Sequence, residues 1–87
     1  FWVQYAGASP VQFLRENLER VSYLHLKDIR GKDFMELGQG VIDFPGVFRV
    51  IEGKGVEWAV VEQDTTKRTP KESMQISRGY LREKLGI

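Results

Sequence analysis

Residues 22–28 read Ser-Tyr-Leu-His-Leu-Lys-Asp, and residues 57–64 read Glu-Trp-Ala-Val-Val-Glu-Gln-Asp. These two segments give the clearest indication of the fold. Each has the apolar pattern of a short β-strand, and each ends near a side chain that can ligate a metal ion, His25 in the first and Glu62 in the second. Active sites of α/β proteins lie at the C-terminal ends of parallel strands, so His25 and Glu62 should meet at one rim. The two stretches therefore predict a metal-dependent enzyme.

Helix signals surround both predicted strands. Ser9 and Gln12 have the spacing of a capping box, Asp43 can cap a second helix, and Thr69 with Glu72 forms another capping box before a long third helix. The resulting order is helix, strand, helix, strand, helix. This alternation predicts parallel strands joined by right-handed crossovers, and hence an α/β fold.

Between the histidine strand and the second helix, residues 29–43 are predicted to form a long loop that contains three glycines, Gly31, Gly38 and Gly40. Long loops at an active rim carry function more often than stability, so we expect this one to close over a substrate. The glycines do not form a dinucleotide-binding fingerprint, because they neither follow a strand directly nor complete the G-x-G-x-x-G pattern.

Four short motifs, at residues 1–10, 25–28, 36–44 and 60–64, resemble the sugar phosphate isomerase/epimerase family in their order and spacing. These xylose isomerase-like barrels include sugar epimerases and inosose dehydratases. The resemblance implies a (β/α)₈ TIM barrel, which needs roughly 250 residues. The 87 residues are therefore expected to be a C-terminal fragment, a partial domain over residues 1–87 with about two parallel strands and with the upstream strands missing.

The resemblance also implies roles for the two rim residues. His25 and Glu62 would ligate a divalent metal ion, and Glu62 would also act as the catalytic acid or base. The family's other ligands, a glutamate and an aspartate, would lie upstream of Phe1, so this chain would hold half a site and be inactive alone. Nitrogen and oxygen ligands without sulfur suit Mn, Mg, Co or Zn. Without the resemblance, His25 is more often a core residue, and Glu62 marks a strand that has reached water.

Five further residues are candidates near this pair. Lys27 shares a strand face with His25 and could bind a substrate oxygen or phosphate, and Arg30 and Trp2 could contact the substrate from the loop and the N-terminal segment. Asp28 and Asp64 are expected to support the site from behind. Each has a competing interpretation. Lys27 could be a solvated lysine at a strand end, and Arg30 could belong to a basic surface loop. Trp2 could be a packed core residue, and Asp64 could be a helix cap.

The implied reaction is isomerisation or epimerisation of a sugar, sugar phosphate or polyol by proton transfer through an enediolate. The alternatives are an inosose dehydratase-like lyase on the same scaffold and a non-catalytic α/β binding module. In the second alternative His25 and Glu62 would be structural.

Composition excludes several other classes. Thirteen basic and 12 acidic residues leave a net charge of +1, which does not attract nucleic acid, and one histidine is too few for the zinc cluster of the apurinic endonucleases that share this barrel. Cysteine is absent and the apolar runs are too short for a membrane span. We expect a cytoplasmic enzyme whose partners are its substrate and the remainder of the barrel or another chain; assembly into a homo-oligomer is left open.

Overall fold

The computed structural model describes all residues, 1–87, as a mixed α/β structure. The helices are α1 (Trp2–Tyr5), α2 (Pro10–Asn17), which continues as a 3₁₀ turn (Leu18–Arg20), α3 (Phe44–Ile51) and α4 (Pro70–Leu85). The strands are β1 (Tyr23–Leu26), β2 (Asp28–Arg30), β3 (Asp33–Met35) and β4 (Trp58–Val61). None of the helices combines the length and the apolar character needed to cross a membrane.

Strands β1 and β4 pair in parallel, with His25 opposite Val60 and Leu26 opposite Val61. The backbone N–H of Glu62 donates to the carbonyl of Leu26 at 2.9 Å, which is the last hydrogen bond of this parallel ladder. The parallel arrangement predicted from the sequence is confirmed. The regular strands are shorter than predicted, because Ser22, Lys27 and the flanking glutamates lie just outside them.

One face of this two-stranded sheet is covered by helices. Leu26 is buried in a cluster with residues from α3 and α4, and Leu24 packs at the edge of both apolar clusters. On the opposite face Tyr23, Val60 and Trp58 are exposed, Trp58 to 73%. The prediction that the leucines pack against helices is confirmed. The uncovered face is the one that lines the interior when strands of this kind close into a barrel.

All three predicted helix N-caps form, and one of the two predicted capping boxes is complete. Asp43 accepts a hydrogen bond from the N–H of Gly46 at 2.9 Å, and Thr69 and Glu72 make both bonds of a capping box. The capping box predicted at Ser9 is wrong in one half. Ser9 Oγ accepts a hydrogen bond from the Gln12 N–H. The Gln12 side chain, however, donates to the Glu16 carboxylate at 2.6 Å and does not bond to the Ser9 backbone N–H. The bond to Glu16 is charge-assisted and therefore the stronger of the two.

The segment predicted as a long loop, residues 29–43, contains most of an antiparallel hairpin, so that prediction is wrong for residues 29–35. Strands β2 and β3 pair with Ile29 opposite Phe34, and the turn between them places Gly31 at φ +63°. A glycine suits this left-handed conformation because a side chain there would be strained. Ile29 is 2% exposed, so the hairpin is anchored in the core on one side.

Asp28 organises the rest of this segment from a fully buried position. Its Oδ1 accepts from the N–H groups of Ile29 and Ile42, and its Oδ2 accepts from those of Gly38 and Gly40, at 2.9 to 3.2 Å. We call this set of bonds the Asp28 clamp. A carboxylate with four amide donors is well compensated for its burial, and in return four loop amides are satisfied.

Gly38 and Gly40, the two glycines of the clamp, lie so close to neighbouring atoms that a side chain would not fit at either position. A Cβ at Gly40 would overlap the Asp28 carboxylate and the Ile29 carbonyl. Gly38 has φ +87°, and a Cβ there would overlap the ring of Tyr80 on α4. The backbone of this segment can therefore reach the buried carboxylate and α4 only without side chains at these two positions.

A second buried carboxylate joins the hairpin to the beginning of α4. Glu36 is 5% exposed, and its Oε1 accepts from Ser73 Oγ at 2.8 Å and from Thr66 Oγ1 at 3.2 Å. Arg68 Nε lies 3.3 Å from the same oxygen. This network replaces water around a charge that would otherwise be costly to bury.

We expect Glu36 to make folding stability sensitive to acid. Burial by itself would raise the pKa of Glu36, but hydrogen bonds from its own backbone N–H, Ser73 and Thr66 outweigh burial and hold the pKa below its ordinary value of 4.5. The unfolded chain therefore binds a proton first as pH falls. Above pH 4.5, the ordinary pKa of the unfolded chain, Glu36 makes its full contribution to folding stability. This contribution is lost as the pH falls through the lower pKa of the folded state.

Urea denaturation of the intact protein between about pH 3 and pH 7 tests this expectation. The difference in unfolding free energy between wild type and Glu36→Gln should shrink as the pH falls. Glu83→Gln, an exposed site on α4, serves as the control. An unchanged pH slope in Glu36→Gln would contradict the assignment.

Candidate functional site

His25 and Glu62 lie side by side at the C-terminal rim of the parallel strands. His25 is in β1, Glu62 follows β4, and His25 Nδ1 lies 2.7 Å from Glu62 Oε2. Both side chains are accessible, at 51% and 40% of their surface. The sequence-based expectation that these two residues meet at one rim is therefore met in the structure, although 36 residues separate them along the chain.

The surroundings of Glu62 favour its ionised form. Hydrogen bonds first from His25 and then from Lys27 hold the pKa of Glu62 below its ordinary value of 4.5. Because the Glu62 carboxylate is an acceptor, the His25 ring donates this hydrogen bond from Nδ1. At neutral pH the pair presents an anionic oxygen beside an imidazole ring.

Lys27 lies behind this pair and is almost buried, with 6% of its side chain exposed. Its Nζ lies 3.2 Å from Glu62 Oε1 and 3.2 and 3.3 Å from the two oxygens of Asp64. Burial disfavours the charge, but the bonds to Glu62 and Asp64 outweigh burial and raise the pKa of Lys27. A solvated strand-end lysine, the competing interpretation, does not describe this residue.

Three aromatic rings surround the Lys27 ammonium. The ring centroids of Phe1, Trp2 and Phe34 lie 5.6, 5.5 and 5.3 Å from Nζ, within cation–π range. Trp2 thus lies beside Lys27 and remains 61% exposed, and its predicted contact with a substrate stays a prediction. Phe34 was missed from the sequence, because the segment that carries it was predicted as an irregular loop and gave no strand signal.

Asp28 and Arg30 take no part in the hydrogen bonds of this cluster. All of the side-chain hydrogen bonds of Asp28 go to the loop amides of the clamp, and its predicted support of the site stays a prediction. Arg30 is exposed, and its guanidinium donates to the carbonyl of Gln39. Its predicted contact with a substrate stays a prediction.

The donor atoms of His25 and Glu62 fit a divalent metal ion as part of a larger ligand set. Two atoms that share a cation at about 2.1 Å in neighbouring coordination positions are about 3 Å apart. The observed 2.7 Å between Nδ1 and Oε2 needs only a small opening to reach this spacing. A metal ion bound there would replace the hydrogen bond between these two atoms, and the imidazole would then carry its proton on Nε2. The chain brings together no group of three or more histidine, cysteine and carboxylate side chains that could hold a metal ion, so a metal ion at this pair would need further ligands.

Comparisons with known proteins bear on the fold and the family. No family model matches the chain. It is similar to the inosose dehydratase of Clostridium beijerinckii, with 30% identity over 105 aligned positions that cover 95% of the chain and 35% of the relative. It is also similar to the inosose dehydratase of Klebsiella pneumoniae, with 33% identity over 99% of the chain and 36% of the relative. The chain spans about a third of the length of these relatives.

The structure superimposes on a sugar phosphate isomerase/epimerase from Parabacteroides distasonis with a TM-score of 0.80. The match covers 95% of this chain and 29% of that protein, at 22% sequence identity. The resemblance to the xylose isomerase-like barrels is confirmed. The fold is that of part of a (β/α)₈ barrel.

In a xylose isomerase-like barrel the exposed face of β1 and β4 becomes part of the interior. The strand neighbours His25 and Val60 then point toward the barrel axis, and Glu62 follows at the rim where the active sites of such barrels lie. The barrel fold thus explains why this face carries both exposed apolar side chains and the candidate site.

Proposed function

We propose that this chain supplies half of the active site of a divalent-metal-dependent enzyme that transfers a proton next to the carbonyl group of a sugar, sugar phosphate or polyol derivative. The observation that carries the proposal is the 2.7 Å pair of His25 and Glu62 at the rim of the parallel strands. The confirmed likeness to sugar phosphate isomerase/epimerase barrels supports it.

Three residues of the cluster act on the substrate or the metal ion in this proposal. Glu62, ionised at neutral pH, is the base that takes the carbon-bound proton, which requires the carboxylate within hydrogen-bond reach of that proton. His25 and Glu62 together hold the metal ion, which when bound supplies polarisation of the substrate oxygens. The exposed ring of Trp2 forms a wall of the substrate space next to Lys27.

The fate of the enediolate decides the class of reaction. Return of the proton to the same carbon from the opposite side gives an epimer, and return to the neighbouring carbon gives an isomer. Dehydration follows instead when the enediolate expels the hydroxyl group from the carbon on the other side of the deprotonated carbon, and this group takes up a proton and leaves as water. Dehydration is the second candidate, and it is favoured by the relatives that align with 95 to 99% of the chain, which are inosose dehydratases.

Proton exchange with solvent tests the step that all of these reactions share. The intact protein, loaded with Mn²⁺, would be incubated in D₂O with a ketohexose, its phosphate or an inosose, and deuterium entry beside the carbonyl would be followed by NMR. Removing a catalytic base costs about 100- to 10,000-fold, so Glu62→Gln should nearly abolish the exchange. Glu57→Gln, exposed just before β4, is the matched control.

The products separate the candidates. An epimer or isomer supports the first function, and an unsaturated or deoxygenated product supports the dehydratase. Absence of both deuterium entry and product with every substrate would reject the enzyme proposal in favour of a non-catalytic binding module.

A further inference from the structure

We propose that Lys27 is a positioning residue that fixes the carboxylate of Glu62, not a ligand of the substrate, and that Phe34 of the β2–β3 hairpin keeps its ammonium group away from water. This inference rests on the proposed function, since it concerns how the base is held. It replaces the sequence-based prediction that Lys27 contacts a substrate oxygen or phosphate.

The ammonium group of Lys27 is already paired with two carboxylates. Its Nζ donates to both oxygens of Asp64, at 3.2 and 3.3 Å, and forms an ion pair with Glu62 Oε1 at 3.2 Å. Only 6% of the side chain is exposed. A substrate oxygen would therefore have to reach a nearly buried group that is already neutralised.

The rings of Phe1, Trp2 and Phe34 occupy much of the remaining space around Nζ. Phe34 has the shortest ring distance, 5.3 Å, and stacks on Phe1 with ring centroids 4.6 Å apart. Excluding water lowers the local dielectric constant and strengthens the attraction between Lys27 and the two carboxylates. The hairpin thus contributes to the site through a ring that does not itself need to touch the substrate.

Lys27 and His25 together hold the two carboxylate oxygens of Glu62 from two directions. Oε1 lies 3.2 Å from Lys27 Nζ, and Oε2 lies 2.7 Å from His25 Nδ1. This fixes the plane of the carboxylate, and a base must be held in a defined position to be efficient. Asp64 shares the ammonium, so the cluster keeps one excess negative charge that can compensate a divalent cation.

The first test follows the carboxylate directly, without turnover. In metal-free intact protein labelled with ¹³C at the glutamate carboxyl carbons, the Glu62 signal should move in Lys27→Met, move less in Phe34→Leu, and stay in place in Lys54→Met, an exposed control. Leucine at position 34 keeps an apolar side chain over Lys27, so Phe34→Leu is expected to fold. It therefore provides the test if Lys27→Met folds poorly. A Glu62 signal that does not respond to Lys27→Met would overturn the proposal.

The second test separates positioning from substrate binding. Lys27→Met should lower kcat by about 10- to 100-fold and leave KM within about twofold of wild type, and Lys27→Arg should recover part of kcat. A rise in KM at unchanged kcat would overturn the proposal and make Lys27 a substrate ligand. If the Glu62 signal responds as expected in a protein that has no turnover, the proposed function fails while the positioning of Glu62 stands.

Discussion

Replacing Asp28 with alanine should lower the unfolding free energy of the intact protein by about 3–5 kcal/mol, the range of the most damaging single substitutions. The change removes the acceptor of four backbone N–H groups, those of Ile29, Gly38, Gly40 and Ile42. A buried donor left without a partner costs about 1–3 kcal/mol, and the total stays below the sum because the loop relaxes.

Chemical denaturation followed by circular dichroism measures this effect. Asp28→Asn should give an intermediate loss, because the amide keeps one acceptor oxygen and turns its own N–H₂ toward donors. Asp33→Ala, exposed at the start of β3, is the control and should stay within about 0.5 kcal/mol of wild type. An Asp28→Ala protein as stable as this control would mean that the clamp is dispensable.

Substituting the two rim residues should remove activity in two distinguishable ways. In the intact protein, His25→Ala should lose both turnover and bound metal, because the imidazole nitrogen is removed as a ligand. Glu62→Gln should lose about 100- to 10,000-fold in kcat yet retain more metal, because the amide keeps an oxygen ligand but is no longer a base. Metal content by atomic absorption and turnover with added Mn²⁺ are the two measurements.

Glu57→Gln is the reference for both measurements, since it removes a carboxylate near β4 without touching the pair. Equal metal contents in the two rim variants would show that the two side chains do not divide the roles as proposed. Near-normal turnover of both variants in excess Mn²⁺ would reject the catalytic assignment altogether.

Local signals made much of the fold predictable. The caps at Asp43 and Thr69 are fixed by side chains within three residues, and the parallel pairing follows from the alternation of helices and strands. The meeting of His25 with Glu62 could also be predicted, because pairing in parallel brings the two strand ends to the same rim.

The parts that could not be predicted depend on contacts between distant segments. The Asp28 clamp needs amide groups up to 14 positions along the chain, and nothing near Asp28 marks it as a buried acceptor. The ring of Phe34 reaches Lys27 only because the hairpin folds back, and a three-residue strand has too little periodicity to be recognised. The Gln12 side chain bonds to the Glu16 carboxylate and not to the Ser9 backbone, and the sequence did not show which of these two nearby partners it would take.

The backbone N–H of Glu62 donates the last hydrogen bond of the β1–β4 ladder, to the carbonyl of Leu26. The position of the Glu62 side chain in the site therefore depends on this one bond. Strand ends open more readily than strand centres, so a protein under mild denaturing conditions loses this rung while the apolar clusters beneath the sheet are still intact. Glu62 then leaves both His25 and Lys27 at once. We therefore expect inactivation to precede the global transition, with turnover acting as a sensitive reporter of fraying at the rim.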